Sequence, residues 1–383
     1  MSGFETVPEQ HEAKRLLAAA LKAANVGGEA ADVGPDGPGR GTRPPEEGPA
    51  HAYLFHGPAG VGKRELARRF AAELLGDHAR VERGSHPDLY LLEPLGEQIR
   101  IDDVRELRRD LHMRPFEGER RVYLVFGADS LNEDAADALL KDLEEPPPYA
   151  VVVLVAERLG PLPETIRSRC QHVPFRRLSE PAVRQAIGEH APELGEEELT
   201  TLARVAGGRL GRALQLLDPA AARRRETLIE VARAAYADPE FEPADGAEAL
   251  LAGIAERGAE AKEAAEVQVE SLELTGREAE QRLRRAQRGA EREELLALLE
   301  ELESWYRDLV VVAAGAEAAA VHVDRLAELR QDATLERMHA AEDACELVRA
   351  AWREAEELQV STPLALEALL IRLRGALTAA VPV

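Results

Sequence analysis

The sequence predicts an α/β domain with a five-stranded parallel sheet, followed by a region that is entirely helical. Short apolar runs alternate with helical patterns up to about residue 178, and no strand pattern follows them. The runs are apolar throughout, which is typical of strands that helices cover on both faces of a sheet. Ala, Leu, Glu and Arg dominate the composition and only 4% of the residues are aromatic, which favours helices elsewhere.

Five segments carry the strand pattern: AYLFH (52–56), DLYLLE (88–93), RVYLVF (121–126), AVVVLVA (150–156) and QHVPF (171–175). Helices are expected between them over residues 63–75, 103–111 and 133–145. Asp102 and Asn132 directly precede the second and third of these helices. Each side chain offers an oxygen that can accept the first free backbone N–H groups of its helix.

We predict three domains: an α/β domain over 1–178, three short helices over 179–218 and a helical domain over 219–383. The stretch 26–50 is interpreted as a flexible insert in the first domain, because its many Gly and Pro residues disfavour both helix and strand. In the last domain, the stretch 255–294 is heavily charged and its apolar stripe is thin. This pattern favours a solvated helical excursion over a coiled-coil seam.

The formal net charge of −23 argues against a protein that coats nucleic acid by itself, since neutralising phosphates needs clustered Lys and Arg. It suggests a basic partner, or an assembly in which other subunits contact DNA. The two cysteines, Cys170 and Cys345, are too few for a zinc cluster or a disulfide framework. No signal-peptide pattern opens the chain and no apolar run reaches about 20 residues, so a cytoplasmic protein is expected.

The segment HGPAGVGKRELA has the glycine and lysine spacing of a phosphate-binding loop. Gly57, Gly60 and Gly62 precede Lys63, and the loop lies between a predicted strand and a predicted helix, where backbone N–H groups can surround a phosphate. The next position should carry a Ser or Thr hydroxyl for the magnesium ion, but it holds Arg64. The pattern therefore fits either a nucleotide site or a structural turn that has no ligand.

The residues that ATP hydrolysis needs do not occur at the two strand ends where they should lie. An ATPase of this class places an acidic pair at the end of its third strand, to order the water shell of the metal and polarise the attacking water. Here that strand ends in Phe126 and Gly127, and Asp129 is displaced along the chain. The fourth strand ends in Ala156, where a polar residue should sense the γ-phosphate. We therefore expect no hydrolysis of ATP by this chain.

Two uses remain open for the cations of the loop. Lys63 and Arg64 could hold a phosphate, a sulfate or a metal-free nucleotide weakly at the helix N-terminus. Arg64 could equally fill the metal position with its own guanidinium. No metal site and no required cofactor are predicted.

Five segments occur in an order that is found in one known family: HAYLFHGPAGVGKRELA, GSHPDLYLLEP, ADALLKDLEEPPP, PETIRSRCQHVPF and GGRLGRAL. Together they resemble the delta-prime subunits of the bacterial DNA polymerase III clamp loader, which belong to the AAA+ superfamily. The resemblance covers residues 1–25 and 51–218 well and continues thinly at 302–311 and 362–373. Its most specific part is the run LLKDLEEPPP with SRC further along the chain.

The resemblance implies a RecA-like AAA+ domain, a three-helix lid and a helical collar that packs with related collars into a ring of five. It implies gamma/tau-type ATPase subunits and a delta subunit as partners. The sliding clamp and primer–template DNA would be contacted mainly through the complex, and no membrane is involved. In this family the delta-prime chain is typically a rigid member that does not hydrolyse ATP and closes the ring beside active ATPases.

The same resemblance assigns roles to three residues. Arg169 of the Ser-Arg-Cys segment would be an arginine finger in the ATP site of a neighbouring subunit, and Ser168 would orient the segment. Such a finger must be a permanent cation, and its planar guanidinium reaches two oxygens of the γ-phosphate. Arg212 matches the sensor (sensor 2) that contacts phosphate within its own subunit. The alternatives are a surface cation or local ion pair for Arg169, and a purely structural role for Arg212.

Two further sets of residues bear on zinc and DNA. Many relatives carry a four-cysteine zinc module after the first helix of the sheet domain, but this sequence has no cysteine there, so His78 and His86 are interpreted as surface histidines. Arg105, Arg108 and Arg109 could face DNA inside the ring. The acidic residues on the same predicted helix favour a solvated surface of mixed charge instead.

Two other functions are considered. An active gamma/tau-type AAA+ ATPase would need a hydroxyl after Lys63 and acids at the end of the third strand. A stand-alone, nucleotide-regulated binding module would be favoured by a helical domain without an apolar self-association surface. The apolar segment TPLALEALLIRL argues against such a module.

Overall fold

The computed structural model describes residues 4–29, 49–94, 98–271, 276–357 and 361–379. Within these ranges the chain forms two compact units. The first runs as far as Pro94, continues through Gln98–Ala186 and includes Gly208–Gly211. The second comprises Ile187–Gly207 and the residues from Arg212 onward. The domain boundaries at residues 178 and 218 stay a prediction.

Five parallel strands form the sheet of the first unit: β1 Ala52–His56, β2 Leu89–Leu92, β3 Arg121–Phe126, β4 Ala150–Ala156 and β5 Gln171–Pro174. They lie in the order β2-β3-β4-β1-β5. Leu54 of β1 lies opposite Leu154 of β4, and Phe55 lies opposite Val173 of β5. The carboxyl ends of β3, β4 and β1 therefore meet at one edge of the sheet, where ligands bind in open α/β folds. The α/β part of the predicted fold is confirmed.

Helices cover both faces of this sheet. They are α1 His11–Glu29, α2 Lys63–Leu75, α3 His78–Glu82, α4 Ile101–Leu111, α5 Glu133–Glu144 and α6 Glu164–Arg167. Because successive residues of a strand point to opposite faces, Tyr53 and Phe55 join the apolar core that contains Phe70 of α2. Leu54 joins the core on the other side, together with Val104 of α4.

The predicted flexible insert begins too early. α1 continues through residues 26–29, so this part of the predicted insert is helical. Glycine lowers helix stability by roughly 1 kcal/mol per residue but leaves the backbone hydrogen bonds possible, and the first proline of the stretch is only Pro35. The rest of the predicted insert, up to residue 48, lies outside the described residues.

The predicted cap of α4 is also wrong, whereas the cap of α5 is confirmed. α4 begins one residue before Asp102, which therefore lies inside the first turn. The next residue, Asp103, accepts the backbone N–H of Arg100 at 2.9 Å. In α5, the side-chain oxygen of Asn132 accepts the backbone N–H of Ala135 at 2.9 Å, as predicted.

One buried carboxylate holds the loop that follows α4, residues 112–118. Asp88 is 0% exposed. Its Oδ1 accepts the backbone N–H of Phe116 at 2.6 Å, and its Oδ2 accepts those of Glu117 and Gly118 at 2.9 and 3.2 Å. The guanidinium carbon of Arg121 lies 5.0 Å from the centre of the Phe116 ring. The loop is thus fixed through its backbone, although the side chain of Phe116 remains exposed.

The described residues of the second unit are predominantly helical and contain no strand. The helices that lie wholly within it are α8 Glu196–Val205, α10 Pro219–Ala237, α11 Pro243–Ser271, α12 Gly276–Ala313, α13 Leu326–Asp332, α14 Leu335–Glu357 and α15 Thr362–Ala379. α7 Glu180–His190 and α9 Leu210–Gln215 begin in the first unit and end in the second. Trp305 and Tyr306 of α12 are fully buried in the core of this unit. The all-α part of the predicted fold is confirmed.

The charged stretch 255–294 forms the distal parts of α11 and α12, which pack along one another. The apolar side chains that are buried there are Ala265, Val269 and Ala290, while Val267 is 67% exposed. This thin seam agrees with a solvated helical excursion. Across all the ranges given above, no helix is both long enough and apolar enough to cross a membrane.

Candidate functional site

The phosphate-binding loop after β1 has a shape that requires glycine at two positions. Gly57 has a φ of +139°, and a Cβ atom there would lie 2.3 Å from the carbonyl oxygen of Phe175, directly after β5. Gly60 has a φ of +67°, and its carbonyl oxygen accepts the N–H of Gly211 at 2.9 Å. The loop is therefore closed against two backbone segments of its own unit.

The side chain of Lys63 is folded back onto this loop. It is 5% exposed, and its ammonium group donates to the carbonyl oxygens of Gly57 and Pro58 at 2.5 Å each. Burial lowers the pKa of Lys63 to about 8, although the carboxylates of Glu157 and Asp129 act in the opposite direction. In a nucleotide site this lysine reaches the β- and γ-phosphates. Here the carbonyl groups of the loop accept its hydrogen bonds.

Arg64 occupies the position of the metal-binding hydroxyl and extends over the end of β3. Its guanidinium carbon lies 5.1 Å from the centre of the Phe126 ring, and that of Arg68 lies 5.4 Å from the same ring. Glu93 lies 3.9 Å from Arg64 and 3.4 Å from Arg68. In an ATPase, position 64 and the end of the third strand would share a metal ion. In this chain they share a cation–π contact.

Asp129, the acid nearest to the end of β3 in sequence, binds backbone N–H groups. Its Oδ1 accepts the N–H of Glu157 and its Oδ2 accepts that of Arg158, both at 3.2 Å. These two residues directly follow β4, which ends in Ala156 as the sequence predicts. Asp129 thus fixes the turn after β4, and no polar side chain occupies the last position of that strand.

The residues at this edge of the sheet do not fit a magnesium–nucleotide site that hydrolyses ATP. The glycines keep the backbone shape, but Arg64 replaces the hydroxyl and Phe126 stands where an acid is needed. The main chain and the two cations of the loop keep the features that bind anions at helix N-termini. Weak binding of a phosphate or a metal-free nucleotide stays a prediction.

Arg169 lies in the segment between α6 and β5, and its side chain is 33% exposed. Its Nη1 donates to the carbonyl oxygen of Thr165 at 2.8 Å and lies 3.4 Å from the hydroxyl of Ser168. That hydroxyl donates to the same Thr165 carbonyl at 3.2 Å. Ser168 and Arg169 therefore share one anchor on α6, and the orienting role of Ser168 stays a prediction. Their role in trans stays a prediction.

The ion-pair partner of Arg169 is a residue that the sequence does not predict. Nη2 of Arg169 lies 2.5 Å from Oε1 of Glu144, the last residue of α5. Glu144 belongs to the run LLKDLEEPPP, so the two motifs that resemble clamp loaders meet at this pair. The neighbouring Cys170 is buried, and burial raises the pKa of its thiol to about 12, so it is an uncharged packing group.

Arg212 belongs to the second unit and forms an ion pair there with Glu301 of α12. Glu301 also accepts from Nε of Arg225 at 2.8 Å, and its Oε1 lies 3.0 Å from Nε2 of His322. Nδ1 of His322 lies 2.9 Å from Oδ2 of Asp308. Arg212 thus takes part in a buried network of charges within its unit, which favours a structural role. Its role as a phosphate sensor stays a prediction.

The three arginines of α4 contact residues nearby. Arg105 pairs with Asp102 at 3.0 Å, and Arg109 donates to the carbonyl oxygen of Arg105 at 3.4 Å. Arg108 forms an ion pair with the buried carboxylate of Asp142 in α5. These contacts produce a surface of mixed charge, as expected, and a contact with DNA stays a prediction.

The interpretation of His86 as a surface residue is wrong. It is buried, and its Nδ1 accepts the backbone N–H of Asp88 at 3.1 Å, because the segment before β2 turns inward. His78 does lie at the surface, 3.7 Å from Glu73. In the part of the chain that the structure describes, no group of three or more His, Cys, Asp or Glu side chains is arranged to hold a metal ion. The predicted lack of a cofactor remains untested.

Comparison with known proteins matches residues 45–179 to the family model described as "DNA polymerase III, delta subunit". The chain is 36% identical over 174 residues to DNA polymerase III subunit delta' of Pseudomonas aeruginosa, which covers 42% of this chain and 53% of that protein. It is 34% identical over 152 residues to subunit delta' of Bacillus subtilis, with 37% and 46% covered. It is 31% identical over 188 residues to subunit tau of Bacillus subtilis, with 45% and 33% covered.

The chain spans about half the length of the delta' relatives that it matches. The matched residues include all five strands, the phosphate-binding loop and the Ser-Arg-Cys segment. The sequence matches therefore relate the sheet-forming part of this chain, rather than its whole length, to the DNA polymerase III delta subunit family and to delta' subunits.

Proposed function

We propose that this chain is a delta-prime-type clamp-loader subunit that does not hydrolyse ATP and that supplies Arg169 to the ATP site of a neighbouring subunit. In this role it closes the ring of the loader, so that a sliding clamp is loaded on DNA during replication. Its partners are gamma/tau-type ATPase subunits and a delta subunit, by analogy with relatives that are subunits of DNA polymerase III. The clamp and primer–template DNA are contacted mainly through the complex.

The observation that carries the proposal is the contact between Arg64 and Phe126. Their side chains stand at the two positions that should bind the metal ion, and they lie 5.1 Å apart, measured from guanidinium carbon to ring centre. A magnesium ion between a guanidinium and an aromatic ring would have no carboxylate or hydroxyl ligand from this strand. A subunit with such a site contributes to ATP hydrolysis through residues that it offers to other subunits.

Arg169 is the residue that fits this contribution. It is partly exposed, and its guanidinium is held by α6 and α5 rather than by the sheet. The planar fork of arginine matches two oxygens of a γ-phosphate, and it remains charged at every physiological pH. Ser168 shares the anchoring carbonyl of Thr165, which keeps the segment in one orientation.

The proposal is tested with a loader reconstituted from this chain and its gamma/tau-type and delta partners. Arg169→Ala should leave assembly intact by gel filtration and lower DNA-stimulated ATP hydrolysis. Arginine fingers are worth on the order of 10³ to 10⁵ in rate at their own site, and the other sites of the ring dilute the bulk loss to a few-fold. Arg169→Lys should rescue poorly, because an ammonium group lacks the planar fork.

Arg176→Ala is the matched control, because Arg176 is a strongly exposed arginine of the same unit, 84% exposed in its side chain. It should load clamps at the wild-type rate. If Arg169→Ala also does so, the role in trans is refuted and the subunit is a structural member only.

The alternative is an active gamma/tau-type ATPase, which the 31% identity to subunit tau favours. The purified chain distinguishes the two functions. Hydrolysis of ATP near 1 s⁻¹, the low end for enzymes, would support the alternative if it also disappeared in Lys63→Ala.

A further inference from the structure

The ion pair between Arg169 and Glu144 affects whether the guanidinium of Arg169 is available to a phosphate. Nη2 of Arg169 lies 2.5 Å from Oε1 of Glu144, and Nη1 donates to the carbonyl oxygen of Thr165 at 2.8 Å. Both terminal nitrogens of the guanidinium are therefore engaged within the chain. A phosphate that is to be held by the same two nitrogens has to displace these acceptors.

The chemistry of α5 alone does not explain the acid at position 144. Glu144 is the last residue of the helix and is followed by Glu145 at the cap. A carboxylate at a helix C-terminus faces the negative end of the helix dipole and is unfavourable there. The positive charge of Arg169 compensates for this placement. The favourable interaction of Glu144 is therefore its ion pair with Arg169. A neutral or basic residue at this position would stabilise the helix more.

The charge of Glu144 also opposes the approach of a nucleotide. A γ-phosphate that reaches Arg169 comes close to a carboxylate of the same sign, so the two anions compete for one guanidinium. We propose that Glu144 is a latch: it holds Arg169 in the resting subunit and releases it when the phosphate of a neighbouring ATP takes its place. This inference rests on the proposed function of Arg169.

The strength of the latch follows from its exposure. The side chains of Arg169 and Glu144 are 33% and 49% exposed, so water weakens their attraction. An exposed ion pair of this kind changes the equilibrium constant between the paired and the released arginine by about 1.4- to 5-fold. The latch is therefore weak enough for a triphosphate to open, and its removal should have an effect of that size rather than of several orders of magnitude.

The test uses the reconstituted loader in the absence of DNA, when the resting state is most populated. Glu144→Gln keeps the size of the side chain and removes its charge. It should raise ATP hydrolysis at the adjacent site by about 1.4- to 5-fold, less in bulk because other sites contribute. Glu145→Gln is the matched control, since Glu145 is an exposed acid one position further on and forms no ion pair with a described residue. It should hydrolyse ATP at the wild-type rate.

The double variant Glu144→Gln/Arg169→Ala separates a latch from a structural effect. A latch acts only through Arg169, so the double variant should hydrolyse ATP like Arg169→Ala alone. A rate for Glu144→Gln that equals or falls below that of Glu145→Gln overturns the latch, and so does a double variant that is faster than Arg169→Ala. If Arg169→Ala itself loses no activity, the proposed function has failed, which is a distinct result.

Discussion

Replacing Asp88 with Asn tests how a single buried carboxylate fixes the loop at residues 112–118. In the wild type, Oδ1 of Asp88 accepts a hydrogen bond from the N–H of Phe116, and Oδ2 accepts hydrogen bonds from the N–H groups of Glu117 and Gly118. An asparagine has one acceptor oxygen and one NH₂ group. With its oxygen in the place of Oδ2, two of the three N–H groups keep an acceptor. The N–H of Phe116 then faces another donor.

The cost can be worked from these three bonds. Leaving one buried donor unsatisfied costs about 1–3 kcal/mol, and each of the two remaining bonds weakens by about 1 kcal/mol when its acceptor loses its charge. The loop should therefore lose about 3–5 kcal/mol of stability against local opening. This corresponds to backbone amides that exchange faster by roughly two to four orders of magnitude.

Hydrogen exchange at pH 7 of the amides of Phe116, Glu117 and Gly118 measures this loss directly. Asp137→Asn is the matched control, because Asp137 is an exposed acid of the same unit, and it should leave these amides unchanged. Exchange in Asp88→Asn within a factor of about three of the wild type, which is less than about 0.7 kcal/mol, would show that Asp88 does not fix this loop.

The effect should also depend on pH. Burial alone would raise the pKa of Asp88, but the three backbone N–H groups and the charge of Arg121 outweigh burial and hold the pKa below its ordinary value. A carboxyl group with a lowered pKa in the folded state stabilises the fold above its unfolded pKa of about 3.9, and this stabilisation is lost as the pH falls through the folded pKa. The difference in thermal unfolding between the wild type and Asp88→Asn should therefore be full at pH 7 and shrink below about pH 4.

Two further predictions concern the loop and the second unit. Arg64→Thr restores the metal-binding hydroxyl but leaves Phe126 and Ala156 in place, so we expect no ATP hydrolysis by the purified variant, and phosphate release near 1 s⁻¹ would contradict this. Asp308→Ala removes the acceptor of the backbone N–H groups of Val321 and His322, both at 2.8 Å, from a fully buried site. We expect the second unit to lose about 2–6 kcal/mol, from about 1–3 kcal/mol for each of two unsatisfied donors. Denaturation should show this loss, whereas the exposed Asp343→Ala should stay within about 0.5 kcal/mol of the wild type; equal losses in both variants would refute the role of the buried carboxylate.

The sheet could be predicted from the sequence because each strand is a short apolar run with a turn on either side. β1, β3 and β4 have the predicted bounds, while β2 and β5 are slightly shorter than predicted. The residues at the ends of β3 and β4 were also predictable, because Phe126 and Ala156 are the last residues of strands whose carboxyl ends the sequence predicts correctly. The position of a residue that directly follows a buried strand is fixed closely by the end of that strand.

The partners of the charged residues could not be predicted in this way. Glu144 meets Arg169 because the chain passes through β4 and α6 between them, and neither residue carries a local signal of that path. Arg212 and Glu301 are joined only once α12 has packed into the core of the second unit. His86 resembled a surface residue because its polar neighbours in sequence do not show that its ring is buried and accepts the backbone N–H of Asp88.

The geometry of Gly57 has a consequence for how this loop can diverge. Its missing Cβ prevents a clash with the carbonyl oxygen of Phe175 whatever the loop binds, so the backbone requires glycine there whether or not the loop supports hydrolysis. No comparable backbone clash fixes the residue at position 64 or at the end of β3, so under the proposed function these two positions are free to diverge. In an alignment of such proteins, shared glycines would therefore record common descent, and only the hydroxyl and acid positions would separate working ATPases from their silent relatives.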